Sequence, residues 1–402
     1  MDPRNYVPFI ERLVYNEKAD SVANPEPILI DWIMKRLAQC NSKVRQALCI
    51  HLSKVLSTRM RAGHKITDKR GIQDAETSTP TDPFFTRNKL THEDQQECYA
   101  IVSQLYPNQT ISPASCQGYC SFTLFVGPST VIQFRPSPYR LDPLITSLAS
   151  SIHSTHVPQT SHRAVLRSSG LDVYTMSRIP GTSLRDSRSH SPVLARSPQF
   201  LENLCTSLAA FLAHSWHGPL PPTPLGTIGT SLYARLQLLA TALPARFRPT
   251  ARQLLDNIDS ITALPWVLTH GDLVPGNIML APSGHLTGLV DWAEAEVLPF
   301  GLCLYGLEEI LGEMTERGWE YHAAAEGLRA LFWRELCTGI GEKERMSVEM
   351  ARIAGILLWW GFSWDEGRID RVVEEGRDGV EIARLDAFLG SFEEGDVRVF
   401  KL

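Results

Sequence analysis

Residues 266–292 read WVLTHGDLVPGNIMLAPSGHLTGLVDW, and this stretch leaves few folds open. Two short apolar runs, Trp266–Thr269 and Ile278–Leu280, flank a polar loop, His270-Gly271-Asp272-Leu273-Val274-Pro275-Gly276-Asn277. A third run, Leu286–Val290, follows Pro282-Ser283-Gly284 and ends in Asp291. Each run is too short for a helix and Pro-Ser-Gly is strong turn chemistry, so residues 278–290 read as a β-hairpin. Asp272, Asn277 and Asp291 then stand at strand ends on one rim. Two carboxylates and an amide brought together form an oxygen-rich cluster suited to Mg²⁺, which takes few protein ligands and fills its shell with phosphate oxygens and water. One carboxylate can be spared to receive a proton from an attacking hydroxyl. Such equipment points to phosphoryl transfer, where positioning and charge neutralisation supply most of the catalysis.

The pattern H-G-D-L-x-P-x-N-I, followed after a hairpin by V-D-W, resembles the aminoglycoside phosphotransferase and choline-kinase-like family, a branch of the protein-kinase-like fold. Four polar identities at fixed spacing within strand, loop and hairpin make the match specific. The resemblance implies an α+β bilobal fold, with a small β-rich N-lobe and a larger helical C-lobe, and ATP and Mg²⁺ as cofactors. It assigns Asp272 as catalytic base, Asn277 and Asp291 as metal ligands and His270 as a brace for the loop.

Upstream, Phe122, Leu124 and Val126 alternate, Gly127-Pro128-Ser129 turns the chain, and the return strand carries Val131, Gln133 and Arg135 on one face with Ile132 and Phe134 on the other. A Gly-containing turn, Gln117-Gly118-Tyr119, precedes this hairpin. In a kinase-like N-lobe the backbone at Gly118 and Tyr119 would cover the ATP phosphates. No lysine occurs between Lys89 and Lys343, so the usual strand lysine of kinases is absent. Arg135 is the available cation, with a planar fork that can bond two phosphate oxygens. No glutamate occurs between Glu97 and Glu202, so the helix predicted from Asp142-Pro143 lacks the acid with which protein kinases orient that cation. Leu171–Met176 alternates as a strand and runs into Ser177-Arg178-Ile179-Pro180-Gly181. By resemblance this is the hinge between lobes, where Met176, Ser177 and Arg178 border the purine.

The chain of 402 residues divides, on this reading, into a helical N-terminal extension and linker (1–89), the N-lobe (90–180) and the C-lobe with its catalytic loop (181–402). Helical spacing runs through 25–58, polar aperiodic sequence through 62–83, and Thr91-His92-Glu93-Asp94 reads as a capping box. Phe200, Leu201, Leu204, Leu208, Phe211 and Leu212 form one helical stripe, and a helix is expected over Leu302–Met314 after the turn Pro299-Phe300-Gly301. A net charge of −5 gives no general attraction to nucleic acid or membrane. The longest apolar run, Ile353–Phe362, is about half a membrane span. The eight cysteines form no C-x-x-C pair, and with a polar opening they fit a cytoplasmic protein. The acid-rich segment after residue 351, with Trp359, Trp360 and Trp364, offers a place for a cationic substrate. The expectation is a small-molecule kinase acting on a hydroxyl, with a possible protein partner at residues 1–60. The missing lysine and glutamate motivate an alternative, a nucleotide-binding or scaffolding pseudokinase.

Overall fold

The computed structural model describes residues 81–115, 117–221, 226–365 and 368–390. The expected helices at 25–58, most of the linker and the partner surface at 1–60 lie outside them. The chain divides into two units, Met1–Gly71 and Ile72–Leu402, and the described residues all belong to the second.

The sheet-rich part opens with helix α1 (Pro83–Arg87), capped by the Asp82 carboxylate, which accepts from the Phe84 N–H at 2.8 Å. Helix α2 (His92–Leu105) begins at the expected capping box, with Thr91 and Asp94 bonding each other's backbone N–H. Strands β1 (Ile111–Pro113), β2 (Phe122–Val126), β3 (Thr130–Arg135), β4 (Thr160–Val165) and β5 (Asp172–Ser177) form an antiparallel sheet in the order β1-β2-β3-β5-β4. The alternation read from the sequence is the one observed. Phe122, Leu124, Val126, Ile132 and Phe134 are buried with Cys98 and Val102 of α2 and with Phe84 and Phe85 of α1, residues expected within the extension. Helix α3 (Pro143–His153) starts at Asp142, whose carboxylate is spent capping the Leu144 N–H at 2.8 Å.

The helical part follows a two-residue strand, β6 (Thr182–Ser183), and helix α4 (Leu184–His190). Along helix α5 (Pro198–Trp216) the predicted stripe Phe200, Leu201, Leu204, Leu208, Phe211 and Leu212 is buried, and helix α6 (Thr227–Ala242) follows it. Strand β7 (Trp266–Thr269) pairs with β10 (Glu296–Pro299), and between them the expected hairpin forms from β8 (Ile278–Leu280) and β9 (Leu286–Leu289). A helix expected over Leu302–Met314 is shorter: α7 ends at Leu311 (Gly306–Leu311). Residues Gly312–Thr315 instead pair as a strand with Gly318–Tyr321, around a turn at which Gly318 has φ +112°, a region open to glycine. Helices α8 (Ala325–Ile340), α9 (Arg345–Trp360) and α10 (Gly379–Leu389) complete the part. The chain is therefore the expected α+β arrangement, sheet-rich first and helical second. Among the described residues no helix is long and apolar enough to cross a membrane.

A buried ionic knot ties α7 to α8 and α9. Glu308, 1% exposed, accepts from Arg352 at 2.8 Å, from Arg329 at 2.7 Å and from the Tyr321 hydroxyl at 2.7 Å. Arg352 also pairs with Glu349 at 2.6 Å. Removing the shared carboxylate leaves the buried Arg352 to Glu349 and takes the carboxylate from Arg329, which costs more than the pair itself contributes. Glu308→Ala is therefore expected to lower unfolding free energy by about 3–5 kcal/mol in urea denaturation, and Glu308→Gln by less.

Candidate active site

The loop after β7 is held by bonds from several sides. His270, 3% exposed, donates from Nε2 to the Val290 carbonyl at 2.9 Å and accepts the Asp272 N–H on Nδ1 at 3.2 Å. These two partners define a neutral imidazole protonated on Nε2. Burial agrees with this, pushing its pKa down to about 4. Gly271 has φ +74°, and a Cβ there would lie 1.8 Å from the Glu294 carbonyl oxygen, so glycine is required on two counts. The Leu273 N–H donates to the Tyr305 hydroxyl at 2.9 Å, and the Tyr305 ring stacks on Trp359 at 4.9 Å.

Asn277 donates from Nδ2 to both the carbonyl and Oδ2 of Asp272, each at 2.9 Å. Its own carbonyl accepts the Val290 N–H at 3.0 Å, which ties Asn277 to the residue before Asp291. Asp291 is left-handed at φ 64°, an unfavourable conformation for a residue with a side chain, held by the strand before it and the turn after. Its side chain, 44% exposed, accepts from Arg135 Nη2 at 2.9 Å on Oδ1. The structure thus joins Asp272 to Asn277 within the loop, and Arg135 of β3 to Asp291 at the end of the hairpin.

Arg135 is 1% exposed and engaged through every nitrogen: Nε donates to Gln133 Oε1 at 3.0 Å and Nη1 to the Tyr139 carbonyl at 3.4 Å. The missing helix acid leaves no gap, because the strand, the following turn and Asp291 hold the guanidinium. Asn277 spends its amide nitrogen on Asp272, leaving its oxygen as a donor toward a cation. Asp291 likewise commits only Oδ1 in these bonds. An all-oxygen set of this kind fits Mg²⁺. Among the described residues no three His, Cys, Asp or Glu side chains gather as a metal cage.

The turn at Gly118 and Tyr119 directs its carbonyls to Arg87 Nη2, at 3.3 and 2.9 Å, and the Arg87 guanidinium lies over the Tyr119 ring at 4.2 Å. It borders the rim: the neighbouring Cys120 thiol, raised to about 12 chiefly by burial, feels Arg135, Asp291 and Glu294. In the hinge segment Met176 pairs with both Val131 and Thr160 across the sheet. The Ser177 and Arg178 N–H groups donate to Gln159 and Ser129 carbonyls at 3.0 and 2.8 Å. The Arg178 guanidinium lies over Phe125, 4.3 Å from the ring centre.

Sequence reasoning missed Gln133, Tyr139 and Glu294. Glu294 faces solvent beside Asp291, and surrounding protein together with the Asp291 charge raises its carboxyl pKa. Among the described acids after residue 351, Asp365 and Asp378 pair with Arg371, and Glu375 and Asp386 with Arg246. Trp360 is buried and Trp359 is taken by Tyr305; the Trp364 side chain lies outside the described set.

Residues 145–301 match the model of the phosphotransferase enzyme family, in agreement with the resemblance carried by HGDLVPGNI and VDW. The uncharacterized protein YcbJ of Bacillus subtilis (strain 168) is 36% identical over 89 residues, covering 22% of this chain and 28% of that protein. The chain thus spans less than a third of that curated relative. Similar solved structures include aminoglycoside phosphotransferase APH(4)-Ia, with 16% identity, TM-score 0.47, and coverage of 74% of this chain and 99% of that one. Another is the GDP complex of aminoglycoside 2'-phosphotransferase-IIIa, with 14% identity, TM-score 0.46, and coverage of 66% and 91%. Macrolide 2'-phosphotransferase type I gives 14%, 0.45, and coverage of 67% and 90%.

The neutral His270 makes a pH prediction. Its folded pKa of about 4 lies below the ordinary value of 6.5, so protons bind the unfolded chain more readily. Its stabilising effect is complete above pH 6.5, declines as pH falls toward 4, and is constant below. The difference in unfolding free energy between wild type and His270→Gln is expected to shrink by roughly 3 kcal/mol across that window, measured by denaturant titration at each pH.

Proposed function

We infer from the family match and the geometry of the rim that the chain is an ATP- and Mg²⁺-dependent phosphotransferase acting on a hydroxyl of a small molecule. The observation that carries this reading is the 2.9 Å bond from Arg135 of the sheet to Asp291 of the hairpin, beside the bonded pair Asp272 and Asn277. In this reading the sheet-rich part, whose core includes Phe84 and Phe85 of α1, is the nucleotide-facing lobe, and residues 181–402 are the catalytic lobe.

Asp272 accepts or orients the proton of the acceptor hydroxyl, and the Asn277 amide on its Oδ2 fixes the carboxylate's direction. Asn277 and Asp291 would hold Mg²⁺ through their oxygens. When bound, the ion neutralises charge that builds on the phosphates. Arg135 steadies the same phosphates from the sheet side, as a permanent cation already aligned by its acceptors. Gly118 and Tyr119 border the phosphates, and Met176, Ser177 and Arg178 border the base. The His270 brace and the left-handed Asp291 keep these groups at fixed separations, which is how phosphoryl transfer gains most of its rate.

A second reading, a nucleotide-binding scaffold without turnover, is favoured by one feature, the absence of a lysine and a helix acid at the places where protein kinases carry them. Two variants separate the readings. Asp272→Asn is expected to reduce phosphoryl transfer by about 10²–10⁴-fold while leaving ATP affinity within a few-fold. Asp291→Ala is expected to abolish the part of the ATP-induced thermal shift that depends on Mg²⁺. A wild type stabilised by ATP equally well with and without Mg²⁺, and silent toward every hydroxyl acceptor, would favour the scaffold.

A further inference from the structure

The guanidinium of Arg135 is buried and permanently charged, and in the phosphotransferase reading it is the cation that steadies phosphate, so what aligns it governs how well it can act. Helix α3 supplies no acid to orient it, since Asp142 caps the Leu144 N–H and the buried positions of the helix are Ile145, Ala149 and His153. The acceptors on Arg135 are Asp291 Oδ1 at 2.9 Å, Gln133 Oε1 at 3.0 Å and the Tyr139 carbonyl at 3.4 Å. Asp291 is the one that a metal ion would share. Gln133 is the side-chain acceptor whose hold on Arg135 persists when Asp291 turns to a cation.

The Gln133 amide is itself oriented. Arginine only donates, so the amide oxygen must face Nε, which sends Nε2 the other way. There it donates to Thr123 Oγ1 at 3.4 Å. Thr123 is clamped by Gln117, whose Oε1 accepts the Thr123 N–H at 2.7 Å and whose Nε2 donates to the Thr123 carbonyl at 2.9 Å. A polar chain therefore runs from the turn holding Gly118 through Thr123 and Gln133 to Arg135. The register supports it, since Thr123 pairs with Gln133 directly across β2 and β3, and Gln133 and Arg135 share a strand face.

We propose that Gln133 is the positioning residue for Arg135, its amide oxygen doing from the same strand what a helix carboxylate does in protein kinases, and that it sets nucleotide affinity through Arg135. The proposal rests on the phosphotransferase reading. Because the amide is neutral, Asp291 remains the anion nearest to Arg135 and the guanidinium keeps its charge for phosphate.

The test is calorimetric titration of Mg·ATP into the full chain carrying Gln133→Met, Gln133→Glu, Arg135→Met and the Gln133→Met/Arg135→Met pair. Gln133→Met is expected to weaken binding about tenfold, the scale of one hydrogen bond to a charged group. Gln133→Glu, which keeps the accepting oxygen, is expected to stay within about threefold of wild type. In the Arg135→Met background the second change is expected to add less than about twofold, since the residue acts through Arg135. Should Gln133→Met fail to fold, Gln133→Asn retains the amide, draws it back by one methylene, and is expected to show the same tenfold loss. Binding by Gln133→Met at wild-type strength, an equal loss in the Arg135→Met background, or a Gln133→Glu variant as weak as Gln133→Met would each overturn the proposal. A wild type that binds no Mg·ATP would instead overturn the phosphotransferase reading, and this inference with it.

Discussion

The contact between Arg135 and Asp291 is the interaction on which the rest of the site depends. A guanidinium that is 1% exposed has lost its hydration and must recover it from acceptors fixed in place. Two of those acceptors belong to the sheet and the turn after it; the third lies 156 residues further on, at the end of the hairpin. The pair is asymmetric, with the cation buried and Asp291 44% exposed. Asp291 can therefore turn toward solvent-borne ligands while the cation stays. The sheet thus presents a fixed positive charge, and the hairpin presents a negative one with freedom to be shared.

Around that contact, the loop from His270 to Asn277 has little freedom to move. His270 binds backbone on both ring nitrogens, Tyr305 takes the Leu273 N–H, and Asn277 closes on Asp272 while its carbonyl receives Val290. Gly271 and Asp291 sit at positive φ, the first where a side chain has no room, the second where a side chain is kept despite the conformational cost. The left-handed turn at Asp291 ends the hairpin and directs its carboxylate at Arg135. The strain and the ion pair are two aspects of one arrangement.

Much of this is legible in the chain, and the boundary of legibility has physical reasons. Strand alternation places Gln133 and Arg135 on one face, the Thr91 capping box and the Asp142 cap follow from local chemistry, and the hairpin from Pro-Ser-Gly. These depend on neighbours within a few residues. The partners that orient Arg135 could not be read, because Asp291 is remote in sequence and because an amide two residues away was not expected to replace a carboxylate. The helix expected over Leu302–Met314 stops short since apolar spacing continues into residues that a glycine turn at Gly318 recruits into a strand pair. The acids after residue 351 suggested a cation subsite, yet arginines interleaved with them proved to be their partners in space.

Charge balance connects these parts to the proposed chemistry. Asp272, Asp291 and Glu294 bring three carboxyl groups to the rim, and Arg135 is bonded to Asp291 among them. A polyphosphate approaching it alone meets repulsion that a cleft of low dielectric does little to screen. A divalent cation between the carboxylate oxygens and the phosphates reverses that sign. Glu294 already responds to the crowding of charge, its carboxyl raised by the protein around it and by Asp291. In the proposed chemistry nucleotide and metal therefore enter together, and the reason lies in the carboxylates gathered at the meeting of sheet and hairpin.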